Sequence, residues 1–229
     1  MLPGFHKHLL YLFLLLPVSL FAQTERETHA GASFSLTVEK DLSRFLTLSA
    51  DEEVRIVDNN TGFDRSVTSA GMEYSLFDRK VKIGAYYAFI YRYNNDFLYE
   101  TRHRCYLNLS YKETFEPFIL SWRGRLQGTW RDESRGAYKI NPKYVMKNKF
   151  EAAYMIWGSP WRPYLSCDLS TNLNEPVREY ELLRVRYEGG VNWRLNRTTW
   201  MEFFLRYDEY LSGTDAHKLS VGATYKMKL

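Results

Sequence analysis

Apolar and polar residues alternate with a period of two along the last dozen positions of the chain. The apolar series is Leu219, Val221, Ala223, Tyr225, Met227 and Leu229, and the residues between them are small or polar. A period of two places the two series on opposite faces of a β-strand. An apolar face for lipid and a polar face for a wet interior are typical of the closing strand of an outer-membrane barrel. We therefore expect the barrel-assembly machinery to engage this strand during insertion.

Similar alternation, interrupted by turn signals, recurs along the rest of the chain. It predicts eleven strands, near residues 32–40, 44–55, 66–77, 80–94, 98–112, 116–131, 143–157, 161–173, 179–195, 198–211 and 216–229. Single-chain bacterial barrels usually have an even number of strands. Either residues 24–31 add a short first strand or one long segment is assigned wrongly, and twelve strands suit the turns better than ten. The predicted fold is all-β, one antiparallel transmembrane β-barrel of about 10–12 strands.

The connections between the predicted strands are short and long in turn. Tight turns are expected at residues 78–79, 158–160 and 196–197, and longer polar loops at 59–64, 132–142 and 174–178. Barrels of this class have short periplasmic turns, longer outer loops and aromatic girdles at the membrane interfaces. Aromatic residues flank the tight turns, and we predict that they form such a girdle: Phe77, Phe115, Phe118, Trp157, Trp161, Trp193 and Trp200.

The first 22 residues have the pattern of a secretory signal peptide. Lys7 provides a positive charge, residues 9–16 form an apolar run, and Phe21-Ala22-Gln23 supplies a small residue for cleavage. We predict cleavage after Ala22 and export of residues 23–229 as a single barrel domain located in the outer membrane. No later stretch has the roughly 18 consecutive apolar residues of a transmembrane helix.

The composition agrees with a barrel. The chain is 45% hydrophobic and 17% aromatic, yet its mean hydropathy is -0.43, as expected when apolar and polar positions alternate along each strand. The net charge of +4 is not clustered, so we expect no nucleic-acid partner. Outer-membrane lipid is the expected partner, and the sequence indicates no protein partner beyond the assembly machinery.

Four short segments resemble one family of barrels. They are residues 38–43 leading into a strand, residues 70–76 before a tight turn, residues 84–87, and the basic segment 123–127 (Val-Glu-Lys-Asp-Leu-Ser, Ala-Gly-Met-Glu-Tyr-Ser-Leu, Gly-Ala-Tyr-Tyr and Arg-Gly-Arg-Leu-Gln). Through them the chain resembles the outer-membrane barrels of Bacteroidetes-type bacteria called domain of unknown function 2490. The Ala22-Gln23 junction is also similar to signal-peptide ends of such bacteria. The resemblance implies an outer-membrane barrel and assigns no functional residue.

An acyl hydrolase or acyltransferase acting on outer-membrane lipid is one hypothesis for the function. Such barrels carry a histidine with a serine, another hydroxyl or an acid on the lipid-facing wall. His103 is predicted to point outward in the outer half of its strand, with Thr101 and Cys105 on the same face. A nucleophile also needs a base and a third group that orients it. The expected outward neighbours of His103 contain no carboxylate: Tyr87, Phe89, Trp122 and Leu126.

We therefore predict that the protein is not an enzyme and has no catalytic residue, and we interpret His103 as an interfacial side chain. Cys105 and Cys167 fall in the outward series of strands that are not sequence neighbours, which indicates small apolar residues. No cysteine and histidine cluster has the spacing of metal ligands, so neither a metal nor another cofactor is expected.

Charged side chains of both signs are predicted to face the barrel interior. They are Arg123, Arg125, Glu151, Asp168, Arg184, Arg186, Glu188, Arg194, Glu202, Arg206 and Asp208. One interpretation is a small-solute or anion pore. The other is a salt-bridged plug, because side chains fill the interiors of small barrels. The similar numbers of opposite charges favour the plug, and with it a non-enzymatic structural or binding barrel.

Overall fold

The computed structural model describes residues 28–57, 62–94, 98–131, 140–175, 180–211 and 217–229. These residues form eleven β-strands that close into one barrel. The strands are β1 Thr28–Asp41, β2 Leu46–Val57, β3 Phe63–Leu76, β4 Val81–Asn94, β5 Leu98–Phe115, β6 Phe118–Arg131, β7 Lys143–Tyr154, β8 Trp161–Asn172, β9 Leu182–Arg194, β10 Thr199–Tyr210 and β11 His217–Lys228. Each predicted segment overlaps one of them, which confirms the all-β barrel. The predicted signal peptide lies outside the described residues.

The number of described strands is odd. Sequence neighbours pair antiparallel, but the closing pair β1–β11 is parallel, from Thr28 beside His217 to Glu39 beside Lys228. Residues 28–31 extend β1 instead of forming a strand of their own, so the expected even number is wrong for the part of the chain that the structure describes. A parallel ladder is only slightly less stable per residue than an antiparallel one. The barrel therefore closes without an exposed edge.

The connections distinguish the two ends of the barrel. The short-turn end carries residues 42–45, 77–80, 116–117, 155–160 and 195–198, together with Leu229. At the opposite, long-loop end, β2 ends and β3 begins, as do the pairs β4 and β5, β6 and β7, β8 and β9, and β10 and β11, and Thr28 begins there. The predicted difference in connection length holds in part: the six residues between β7 and β8 at the short-turn end outnumber the five between β2 and β3 and the three between β4 and β5 at the other end.

The barrel is apolar outside and polar inside. Large apolar side chains are exposed on successive strands, among them Phe34, Leu48, Met72, Ile83, Leu107, Leu126, Phe150, Leu165, Leu205 and Val221. Soluble monomers rarely expose contiguous apolar patches above a few hundred Å², whereas membrane barrels carry an apolar outer band. A small apolar cluster of Ile119, Ala153, Tyr164 and Phe204 occupies part of the interior near the short-turn end. No helix among the described residues is long and apolar enough to cross a membrane.

A carboxylate on β2 interrupts the apolar outer face of that strand. Glu52 alternates with the exposed Leu48 and Ile56 along β2. Its two carboxylate oxygens accept hydrogen bonds from the hydroxyls of Ser66 and Thr68, each at 2.5 Å. The hydroxyls of β3 therefore satisfy this carboxylate within the wall.

The aromatic residues expected in the girdle lie at the short-turn end. Phe77, Phe115, Phe118, Trp157 and Trp161 are exposed there, and the rings of Trp161 and Trp193 stack with their centroids 4.7 Å apart.

Trp200 is an exception and corrects the girdle assignment. It shares the alternation of Glu202 on β10, so its side chain belongs to the interior side of the strand. It stands opposite Arg194 of β9 and, like Trp157 and Trp161, borders a small cavity at the short-turn end. On β11 the predicted outward series is Val221, Ala223, Tyr225, Met227 and Leu229, of which Val221, Tyr225 and Leu229 are the most exposed.

Candidate functional site

Two neighbouring cavities lie in the part of the barrel interior that the structure describes. The larger, of about 830 Å³, occupies the middle of the barrel. The other, of about 600 Å³, lies toward the long-loop end and shares Arg55, Arg65, Leu183, Arg184 and Tyr210 with the first. Both are lined mainly by polar and charged side chains, so the charge pattern of this lining decides what the interior attracts.

One side of the interior is covered by ion pairs, which we call the paired cluster: Arg184, Arg186, Glu188, Arg206 and Asp208 of β9 and β10. Nε and Nη2 of Arg186 donate to the two carboxylate oxygens of Asp208 at 2.5 and 2.9 Å. Nε of Arg206 donates to Glu188 at 2.8 Å. In both pairs the partners stand directly opposite each other across the two strands. Opposite charges in this position stabilise a sheet.

Neighbouring strands extend the paired cluster. Nζ of Lys149 lies 3.3 Å from Glu188 and 3.0 Å from Glu151. Arg184 lies 3.7 Å from Asp208 and 3.9 Å from Asp168. This side of the interior thus has the arrangement that the plug hypothesis expects.

Two predicted members of the network stand apart. The carboxylate of Glu202 accepts a hydrogen bond from the hydroxyl of Tyr164 and forms no ion pair with a described residue. Arg194 is exposed at the end of β9, where its Nε donates to the backbone oxygen of Asn196 at 3.3 Å. Arg194 belongs to the same alternating series along β9 as Arg186. Because it lies at the rim of the barrel, it is not part of the charge network.

The opposite side carries cations without acidic partners, which we call the basic wall: Arg104, Arg123, Arg125 and Lys147. These residues of β5, β6 and β7 line the larger cavity and form no ion pair within the described part of the chain. Nε of Arg104 donates to Thr129 at 3.0 Å, and Nε of Arg125 donates to Asn108 at 2.8 Å. Both acceptors are neutral, so the guanidinium charges stay uncompensated.

Aromatic rings help to hold the basic wall. The guanidinium carbon of Arg125 lies 4.1 Å from the ring centroid of Tyr106, within the range of a cation–π contact. Tyr106 in turn stacks on Tyr86, with centroids 4.9 Å apart and planes inclined by 6°. Arg125 is therefore fixed in orientation while its charge remains available.

The prediction that Arg123 and Arg125 belong to a salt-bridged network is wrong, as the register of β6 with β5 and β7 shows. The cross-strand neighbours of Arg123 are Ser110 and Lys149, and those of Arg125 are Asn108 and Lys147. No carboxylate stands directly opposite either arginine on the adjoining strands. The predicted network did not include Arg104 and Lys147, the other two members of the basic wall. Both fall in the inward-facing series of their strands, β5 and β7, so the alternation in the sequence could have identified them.

The asymmetry extends along β4 to β7. These four strands contribute seven cations and no carboxylate to the lining of the two cavities: Lys82, Arg92, Arg102, Arg104, Arg123, Arg125 and Lys147. Strands on the other side contribute both signs. Lys82 and Arg102 are paired with Glu73 and Glu100, whereas the four cations of the basic wall have no such partner. A buried charge without a counter-charge is costly unless water or a bound ion solvates it. This side of the interior therefore favours water and anions.

His103 lies on the outer face as predicted, and its neighbours are now defined. Its Nδ1 is 2.6 Å from the hydroxyl of Tyr87, and its ring is 5.6 Å from that of Phe89. Across β6 it stands opposite Trp130, and the expected neighbours Trp122 and Leu126 stand opposite Tyr111 and Leu107. No carboxylate of a described residue is bonded to His103. The arrangement does not assemble a nucleophile, base and orienting acid.

Among the described residues, no group of three histidine, cysteine or acidic side chains could hold a metal ion. The thiols of Cys105 and Cys167 are free.

Residues 31–220 match the family described as "Protein of unknown function (DUF2490)", and the chain belongs to this family. The resemblance noted in the sequence is thereby confirmed. No protein of curated function matches the sequence.

Five solved chains match this structure, among them two barrels with TM-scores above 0.5. The structure titled "NanC porin structure in rhombohedral crystal form" has a TM-score of 0.53 at 11% identity, over 88% of this chain and 98% of that chain. A "Bacterial polysaccharide outer membrane secretin" has a TM-score of 0.52 at 14% identity over 82% of this chain. The chain spans 63% of the length of the secretin. At these identities the similarity shows the barrel fold.

Proposed function

We propose that this member of the DUF2490 family is an outer-membrane barrel, without enzymatic activity, whose interior binds and passes small organic anions. Its location is supported by the apolar outer face, the aromatic residues at the short-turn end and the fold shared with a protein titled a porin. Lipid is then the partner of the outer wall.

The basic wall is the observation that supports the binding of anions. Four cations without acidic partners line one side of the 830 Å³ cavity, and a polar interior with low-dielectric walls concentrates ions of opposite charge. Guanidinium groups bind carboxylates and phosphates through paired hydrogen bonds. A fully salt-bridged plug, the alternative, requires acidic partners that Arg104, Arg123 and Arg125 lack among the described residues.

Ion selectivity in planar bilayers tests this proposal. Under a salt gradient, the purified barrel should conduct steadily, with a reversal potential that reports a severalfold preference for chloride over potassium. The variant Arg104→Gln/Arg123→Gln/Arg125→Gln should lose this preference, because the uncompensated charge is removed. The matched control is Arg44→Gln, since Arg44 is exposed in the turn between β1 and β2, and it should keep the preference. A wild-type barrel that is closed or cation-selective contradicts the proposal.

Lipid analysis tests the non-enzymatic role. Cells with and without the protein should have the same acyl chains on their outer-membrane lipids, because the described surroundings of His103 lack an orienting acid. Mass spectrometry of extracted lipids measures this directly. An acyl chain that is gained or lost with the wild-type protein, and not with His103→Ala, would show an enzyme.

A further inference from the structure

The larger cavity also contains carboxylates without cationic partners. Asp51 of β2 and Glu202 of β10 line it. The oxygens of Asp51 accept hydrogen bonds from the hydroxyls of Thr37 at 2.7 Å and Ser69 at 3.4 Å, and Glu202 accepts one from Tyr164. Neither forms an ion pair with a residue that the structure describes. The nearby Lys226 is already engaged with Glu39 at 2.5 Å.

These two carboxylates face the basic wall from the far side of the barrel. Three strands separate β6, at the centre of the basic wall, from β2 in one direction and from β10 in the other. The cavity thus has cations on one side and free carboxylates across from them. An anionic group of a solute gains from the first side, and a cationic group on the same solute gains from the second. Complementary charge on both sides is therefore met best by a solute of both signs.

From this placement we infer that the central cavity binds zwitterionic solutes, namely short peptides with free termini. The terminal carboxylate contacts Arg104 or Arg125, and the terminal ammonium contacts Asp51 or Glu202. The inference rests on the proposed function, whose anion-binding wall it uses, and adds the class of solute.

The size of the barrel indicates the length of the peptide. Eleven strands about 4.8 Å apart and tilted by about 40° form a ring roughly 22 Å across between backbones, and long arginines facing short carboxylates leave a gap of about 10 Å. An extended chain covers about 3.3–3.6 Å per residue, so a tripeptide bridges this gap. A volume of about 830 Å³ is within the usual range of ligand cavities, about 300–1,000 Å³.

Three matched peptides test the contributions of the terminal ammonium and the terminal carboxylate separately. Triglycine carries both, N-acetyl-triglycine has lost the ammonium, and triglycine amide has lost the carboxylate. Calorimetric titration of the full-length barrel in detergent should show triglycine binding at least tenfold more tightly than either analogue. Asp51→Asn and Glu202→Gln should each reduce the preference for triglycine over its acetyl form. Glu113→Gln should keep that preference, because Glu113 pairs with the exposed Lys80 at 2.8 Å outside the cavity. Unchanged heat-modifiable migration would show that each variant is folded.

The possible failures are distinguishable. Equal or tighter binding of N-acetyl-triglycine, or no binding of any peptide by a barrel that remains anion-selective, overturns the peptide site and leaves the anion pore standing. Triglycine binding with the predicted preference in a barrel that does not conduct overturns transport and supports the site. A preference that survives in folded Asp51→Asn and Glu202→Gln overturns the assignment of the ammonium to these carboxylates.

Discussion

Arg186→Ala is expected to lower the free energy of unfolding of the barrel by about 3 kcal/mol. Arg186 donates two hydrogen bonds to Asp208, and the two side chains are only 13% and 4% exposed. Removing the arginine leaves a buried carboxylate whose remaining cation, Arg184, is 3.7 Å away. Water in the cavity moderates this loss, which places it at the lower end of the range for a broken buried pair.

Arg123→Ala is the matched control for this prediction. It makes the same substitution in the same interior, but Arg123 has no acidic partner among the described residues, so stability should change little or improve slightly. The midpoint of heat-modifiable migration and urea unfolding in lipid vesicles both report the difference. Equal losses from the two variants would show that the pairing of Arg186 does not govern stability.

Gly190→Ala is expected to cost about 2 kcal/mol through overpacking. An added Cβ would lie 2.5 Å from the backbone oxygen of Phe203 and 2.8 Å from a ring carbon of Tyr164. The ring of Tyr164 cannot move aside easily, because it is buried and its hydroxyl bonds Glu202 and Glu188. The backbone of β10 would have to shift instead.

The adjacent glycine provides the control for Gly190. A Cβ on Gly189 would point to the outer face and meet only Cδ2 of Leu165 at 3.1 Å. Leu165 is exposed and can rotate away, and replacing a strand glycine by alanine gains about 0.5–1 kcal/mol. Gly189→Ala should therefore be neutral or stabilising in the same unfolding measurement. A destabilised Gly189→Ala beside an unaffected Gly190→Ala would reverse the assignment of the two faces.

The sequence was sufficient for the strands and for the side on which most residues lie. Arg184, Arg186 and Glu188 alternate with apolar neighbours, and this local period of two requires no knowledge of the partner strand. The charge pairs depend on register, which is set between strands. Nothing local to β6 shows that Arg123 stands beside Ser110 and Lys149, or that Arg186 stands beside Asp208.

Local pattern was also insufficient at the irregular and closing positions. The register of β8 and β9 shifts between Ser170 and Thr171, and such a bulge changes which side chains face inward. The parallel pairing of β1 with β11 joins the two most distant strands of the described chain. The even number expected from other barrels could not reveal it, because that expectation concerns a class of proteins and not these residues.

The parallel closing pair constrains any circular permutation of this barrel. In a barrel with an even number of strands, the chain ends meet at one rim and a hairpin turn can join them. Here residues 28 and 229 lie at opposite rims, separated by a strand of 12 residues, or about 40 Å along its length. A linker of that span could not follow the lipid side, where its backbone would have no hydrogen-bond partners. It would have to thread the interior past the basic wall, so that a permuted protein would obstruct its own cavity.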